Sequence, residues 1–140
     1  MARFVIDAPT LLYAVESGRA LDPVHQLVAP GAIRSQALDL LLARVRTGEL
    51  TEPQALAFLE RLTATKIRTL ADRVSRRTAW SIARERDWAT IRDAEHIALV
   101  QLQADALATI DDRLATLAVG IVPVAEVERL FRPDSAAPQA

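Results

Sequence analysis

Three observations predict an α/β fold with a mainly parallel central sheet and helices on both of its faces. Short β-prone apolar runs alternate along the chain with segments whose apolar residues recur three or four apart. The first such run is continuously apolar, as in strands covered on both sides. Pro, Thr or an acid stands where several helical segments begin, and Gly where the first two end.

In order, ARFVID is the first strand, with Phe4, Val5 and Ile6 consecutive, and it stops at Asp7. Pro9 falls in the first turn of a helix, where its missing N–H costs nothing, and Leu11, Leu12 and Val15 form the apolar stripe up to Gly18. HQLVAP is a second strand closed by Pro30 and Gly31. A helix from Ser35 to Arg46 follows, with Leu38, Leu41, Leu42 and Val45 on one side and Gly48 marking its end. TEPQALAFLERL opens with Thr51 as a cap and Pro53 in the first turn, and its Leu56, Leu59 and Leu62 have helical spacing. KIRTL is too short to assign.

From Asp72 a long helix carries Leu70, Val74, Thr78 and Ile82 four apart, with Arg73, Arg76, Arg77, Arg84 and Arg86 over the rest of its surface. After a break near Asp87, Ile91 to Gln103 forms another helix. ADALATI then reads as a strand, RLATLA as a short helix, GIVPV as a last strand and AEVERLF as a closing helix. Residues 1–132 are expected to form a single domain, with the stretch 51–87 as an insertion packed on the same core. The tail 133–140, PDSAAPQA, is expected to be disordered.

A chain of 140 residues is long enough to bury roughly two-thirds of the surface its unfolded form exposes. Its 51% apolar and 25% charged residues are those of an ordinary globular protein. With no cysteine, neither a disulfide framework nor a thiolate metal site is available. The start, MARFVIDAPTLL, lacks the apolar core of a secretory signal, and no apolar run reaches membrane-helix length, so a cytoplasmic protein without membrane contact is expected. A net charge of −1 excludes a uniformly basic nucleic-acid binder. The basic residues are nearly all Arg, with Lys66 the only lysine.

Several chemistries are disfavoured by the residues themselves. No glycine-rich phosphate loop follows the first strand, and no nucleophile elbow surrounds Ser17, Ser35, Ser75 or Ser81. His25 and His96 alone are too few for a zinc hydrolase. A phosphoacceptor domain would want paired acids after the first strand and a lysine near the last, and neither is present. What remains is a set of carboxylates at element junctions: Asp7, Asp93, and the pair Asp111 and Asp112. In a parallel sheet function gathers at the carboxyl ends of the strands, where Asp7 and Asp111 both fall. Taken singly, each acid fits a helix cap. Taken together, carboxylates from separate elements are the usual way to hold Mg²⁺ or Mn²⁺, which activates water against a phosphodiester. His96, one turn after Asp93, either faces that site or packs in the core. The Arg-rich helix is a solvated face or a surface for an RNA backbone, and Trp80 and Trp88 have core, partner-facing or base-stacking readings.

FVIDAPTLLYAV, VAPGAIRSQALDLLLARVRTGELT and TIRDAEHIALVQLQADALATIDDRLA, in that order and spacing, resemble the PIN-domain ribonucleases, and specifically the VapC toxins of bacterial toxin–antitoxin pairs. The resemblance covers residues 3 to 131. It implies a PIN-like α/β fold and a metal-dependent endoribonuclease, with Asp7, Asp93 and Asp111 binding Mg²⁺ or Mn²⁺ as the catalytic acids. It further implies an RNA substrate, a VapB-like antitoxin whose C-terminal segment covers the acidic groove, and a homodimer. Asp112 is adjacent and either assists or begins the following helix. The chain departs from the family at Gln36, where the family usually has Glu: an amide oxygen can ligate a cation but brings no charge and cannot act as a base. Asp39, one turn later, is a candidate replacement. Pro9 stands where a small hydroxyl residue is common, with Thr10 the nearest alternative. The rival expectation that follows from Gln36 is a PIN-fold protein with weakened or lost catalysis that acts by binding RNA or protein.

Overall fold

In the computed structural model, which describes residues 1–133, the chain forms β1 (Arg3–Val5), α1 (Ala8–Ser17), β2 (Gln26–Pro30), α2 (Ile33–Arg46), α3 (Glu52–Ala64), β3 (Arg68–Leu70), α4 (Arg73–Arg86), α5 (Arg92–Gln103), β4 (Ala106–Ala108), α6 (Asp112–Ala118) and β5 (Val124–Ala125), followed by a 3₁₀ turn at Val127–Leu130. Five strands lie in the order β3-β2-β1-β4-β5, and every neighbouring pair is parallel. The tail expected to be disordered lies, from residue 134 onward, outside the described residues.

Side-chain alternation along the strands divides the core in two. Phe4, Ile6, Leu27, Ala29, Ala106 and Ala108 face one side and pack with α1, α2 and α3. Val5, Val28 and Leu107 face the other and pack with α4, α5 and α6. The inner strands β1, β2 and β4 are thus apolar on both faces, which is why their sequences read as continuous runs. Parallel strands also need a crossover between them, and each crossover must lay its helices on one face or the other.

The helix ends follow local chemistry. Asp7, Asp72 and Asp111 cap α1, α4 and α6 with their side chains, and Thr51 caps α3 in a reciprocal capping box with Gln54. Gly18 ends α1 in the left-handed conformation, at φ 67°. No described helix is long and apolar enough to cross a membrane.

Four expectations need correction. The stretch 51–87 is no insertion: KIRTL supplies the edge strand β3, and α3 and α4 on either side of it fall on opposite faces of the sheet. The buried row of α4 is Ser75, Ala79, Ile82 and Ala83, not the row through Val74 and Thr78. Small residues at 75, 79 and 83 let α4 lie close against α5, and Val74 is left 62% exposed. On α2, likewise, Ile33, Ala37 and Leu41 are buried while Leu42 is exposed. Finally, AEVERLF is not an α-helix. The chain leaves the 3₁₀ turn extended, because Phe131 bridges to Leu21 and buries its ring in the first core, and that packing overrides local helix preference.

The exposed and buried rows of α4 give a stability prediction. In urea denaturation Ile82→Ala is expected to cost about 2–5 kcal/mol, and Val74→Ala to stay within about 0.5 kcal/mol of the parent.

Candidate active site

Because all strands are parallel, their carboxyl ends share one edge, and β1 and β4, adjacent in the sheet, deliver their following residues side by side. Asp7 follows β1 and is only 4% exposed. Its Oδ1 accepts from the Thr10 amide at 3.3 Å and from the Thr10 hydroxyl, and its Oδ2 accepts from the Thr109 hydroxyl at 2.9 Å. Each hydroxyl also accepts a backbone amide, Thr10 Oγ1 from Ile110 at 3.0 Å and Thr109 Oγ1 from Asp111 at 2.9 Å. A carboxylate oxygen only accepts, so each hydroxyl directs its proton at Asp7 and receives the amide on a lone pair. The start of α1 and the end of β4 are thereby locked together around one carboxylate.

Asp111 caps α6, its Oδ1 accepting from the amides of Arg113 at 2.9 Å and Leu114 at 3.3 Å. Asp93 stands in the first turn of α5. Arg113 connects the two. Its guanidinium donates to both oxygens of Asp93, at 2.8 and 3.0 Å, and its Nη2 lies 3.5 Å from Asp111 Oδ2. The hydrogen bonds from Arg113 hold the Asp93 carboxyl below its ordinary value against the opposing effect of partial burial, with lesser help from the charges of Arg113 and His96. Asp93 in turn raises the pKa of Arg113, with smaller contributions from Asp111 and Asp7. One guanidinium therefore stands in the field of all three acids.

The three acids singled out in the sequence thus meet at one sheet edge. Asp112 is the first residue of α6 and exposed, which matches its assignment as a helix-starting residue. Gln36 sits in the second turn of α2, half-buried, on the helix that follows the carboxyl end of β2. Asp39 does not replace it: it is exposed and lines the cleft between α2 and α3 with Leu42, Glu52 and Leu56, outside the network around Asp7. His96 is packed, with its Nδ1 2.8 Å from the Arg92 carbonyl and its buried Nε2 without a hydrogen-bond partner. A carbonyl can only accept, so Nδ1 carries the proton. Trp88 packs on the second core, whereas Trp80 is 64% exposed.

Sequence reasoning missed Thr109 and Arg113 and left Thr10 open. Thr109 and Arg113 each lie two residues from Asp111, and nothing in composition or periodicity distinguishes them; their roles depend on the pairing of β1 with β4 and on the approach of α5 to α6.

Carboxylate oxygens are the donors that a hard divalent cation takes. Here, however, Asp7 is engaged by Thr10 and Thr109, Asp111 Oδ1 by α6 amides, and Asp93 on both oxygens by Arg113. Among the described residues no group of three or more His, Asp or Glu side chains is gathered as a metal-binding cluster. The donor chemistry fits the cation, which would have to displace Arg113 from the oxygens of Asp93. A cavity of about 570 Å³ opens at the amino ends of β1, β2 and β3, among Arg3, His25, Gln26 and Arg68, and contains none of the three acids. Neither a protein-family model nor a curated protein matches the chain.

Two outcomes test this geometry. Thr109→Val removes a donor to a buried carboxylate and is expected to destabilise the protein by roughly 1–3 kcal/mol, read by urea titration. Asp93 has a depressed folded-state pKa, so its contribution is full above the unfolded value near 3.8 and is lost as pH falls through the lower folded value. Arg113→Gln is accordingly expected to melt below the parent at neutral pH, with the gap closing on acidification below that value; a gap constant down to strong acid would contradict the pairing.

Proposed function

We propose that the chain is a PIN-type, metal-dependent endoribonuclease acting as the toxin of a type II toxin–antitoxin pair. The observation that carries this reading is the convergence of Asp7, Asp93 and Asp111 at one edge of a parallel sheet, with Asp7 and Asp111 linked through Thr109 and Asp93 and Asp111 linked through Arg113. Asp7, Asp93 and Asp111 would hold Mg²⁺ or Mn²⁺, which when bound supplies an activated water and offsets phosphate charge. Thr10 and Thr109 fix the Asp7 carboxylate in place, so that it does not reorganise when substrate arrives. Arg113 neutralises the acids when no divalent ion is present, and its exposed side chain is free to turn toward a phosphate once released from Asp93. The antitoxin, in this reading, is a VapB-like partner whose C-terminal segment covers the acidic edge, and the toxin is a homodimer.

A second reading is favoured by two specific features, the neutral Gln36 and the bidentate hold of Arg113 on Asp93. Both lower the affinity for a divalent cation, and a protein of this kind would act by binding RNA or a protein with little cleavage.

Cleavage of a structured RNA in Mn²⁺ by the parent, Asp93→Asn and Gln36→Glu proteins separates the two. The nuclease reading expects parent activity that EDTA abolishes, a loss of roughly a hundredfold or more in Asp93→Asn, and a gain in Gln36→Glu. A parent as inert as Asp93→Asn beside an active Gln36→Glu would establish the second reading. In calorimetry with Mn²⁺ alone, Arg113→Gln is expected to bind more tightly than the parent, since the competing cation is gone.

A further inference from the structure

We infer that the outer face of α4 is a binding surface for single-stranded RNA, on which Arg73, Arg77 and Arg84 contact the backbone and Trp80 stacks a base. The polymer's identity rests on the nuclease reading above; the surface itself does not require catalysis. Positions 73, 77, 80 and 84 follow one another at helical spacing along a single row, on the side opposite the buried Ser75, Ala79, Ile82 and Ala83. The row is roughly 16 Å long at the helical rise. Five arginines and one acid, Glu85, make up the charge of α4, and among the described residues none of Arg73, Arg76, Arg77 and Arg84 forms an ion pair. An indole 64% exposed in the middle of such a row is an open π-face with cations above and below it along the helix.

The position of α4 adds to its chemistry. The helix starts just past the carboxyl end of β3, and it ends shortly before α5, whose first turn holds Asp93. Arg76 lines a small cleft with Pro30, Leu70 and Glu95, which ties the early part of α4 to the ends of β2 and β3 and to the start of α5. The early part of α4 thus lies by the carboxyl ends of β2 and β3, and its late part leads through residues 87–91 into the helix that carries Asp93.

Single-stranded nucleic acid suits this face better than an acidic protein segment. A protein partner buries an apolar centre ringed by polar groups, whereas here guanidinium groups predominate and the indole is flanked by charge. Cations that track a backbone, with aromatic faces for bases, are the recurring solution for single strands.

The test uses the full chain in EDTA, with a fluorescent oligouridylate as probe and anisotropy as readout. Trp80→Ala is expected to weaken binding about tenfold, and to abolish quenching of the protein's fluorescence by unlabelled oligouridylate. The triple variant Arg73→Gln, Arg77→Gln, Arg84→Gln is expected to lower the slope of log affinity against log salt by about 2, with the corresponding triple Lys variant restoring it. All these positions are exposed, and melting temperatures equal to the parent's establish folding. Parent-like affinity in both variants, or no binding by the parent, would overturn the proposal. Displacement of the oligonucleotide by polyglutamate at equal charge concentration, with the same dependence on Trp80, would overturn it in favour of a protein partner. Mn²⁺-dependent cleavage is measured separately: an active parent whose binding ignores α4 defeats only this surface, and an inactive parent that binds through α4 defeats only the nuclease.

Discussion

A carboxylate buried to 4% exposure at the end of the central strand has to be satisfied or lose its charge, and the arrangement around Asp7 satisfies it. Three neutral donors, from Thr10 and Thr109, meet its oxygens, but hydrogen bonds alone do not cancel the charge. Arg113, held by Asp93 and beside Asp111, adds positive charge at the same end of the sheet, and its own pKa is raised by Asp93 first and by Asp111 and Asp7 to a smaller extent. This edge of the molecule thus needs a cation. The protein supplies one from its own sequence, and a divalent ion would have to compete with it.

Capping a helix and contacting a second element are not rival roles for these acids. Asp7 and Asp111 each cap a helix, which holds the carboxylate in a fixed orientation at the helix N-terminus. One oxygen of Asp111 is used in this way, and the other faces Arg113. A cap at a strand's carboxyl end is therefore a way of presenting an acid. The two adjacent acids after β4 part company by residue: Asp111 caps α6 and also faces Arg113, whereas Asp112 begins the helix.

Much of this was legible in the sequence, for identifiable reasons. Strand, acid and helix follow one another at Phe4–Ser17, and apolar continuity, an Asp cap and a Pro in the first turn all agree there. The same holds at Thr51, where the capping box is written in the residues. Legibility failed where tertiary contacts decide. Val74 and Ile82 share one four-residue spacing, and only the approach of α5 selects Ser75, Ala79 and Ala83 as the buried companions of Ile82. Phe131 leaves a helical pattern to reach Leu21, more than a hundred residues away. Thr109 and Arg113 acquire their roles only from strands and helices that the chain brings together at long range. Asp39 was proposed from helical proximity to Gln36, yet one turn of helix rotates a side chain enough to place it in a different cleft.

The bond from Thr109 to Asp7 joins residues 102 apart, and this separation bears on when the site comes into existence. Closing so long a loop is entropically unfavourable until other contacts have formed, so parallel pairings of this kind belong to the slow part of folding. During synthesis Asp7, capping α1, emerges early, while Thr109, Asp111 and Arg113 leave the ribosome among the last residues of the described chain. No partial product holds the three acids together. The topology therefore keeps the site unassembled until the chain has been made through Arg113, and its appearance coincides with the pairing of β4 beside β1.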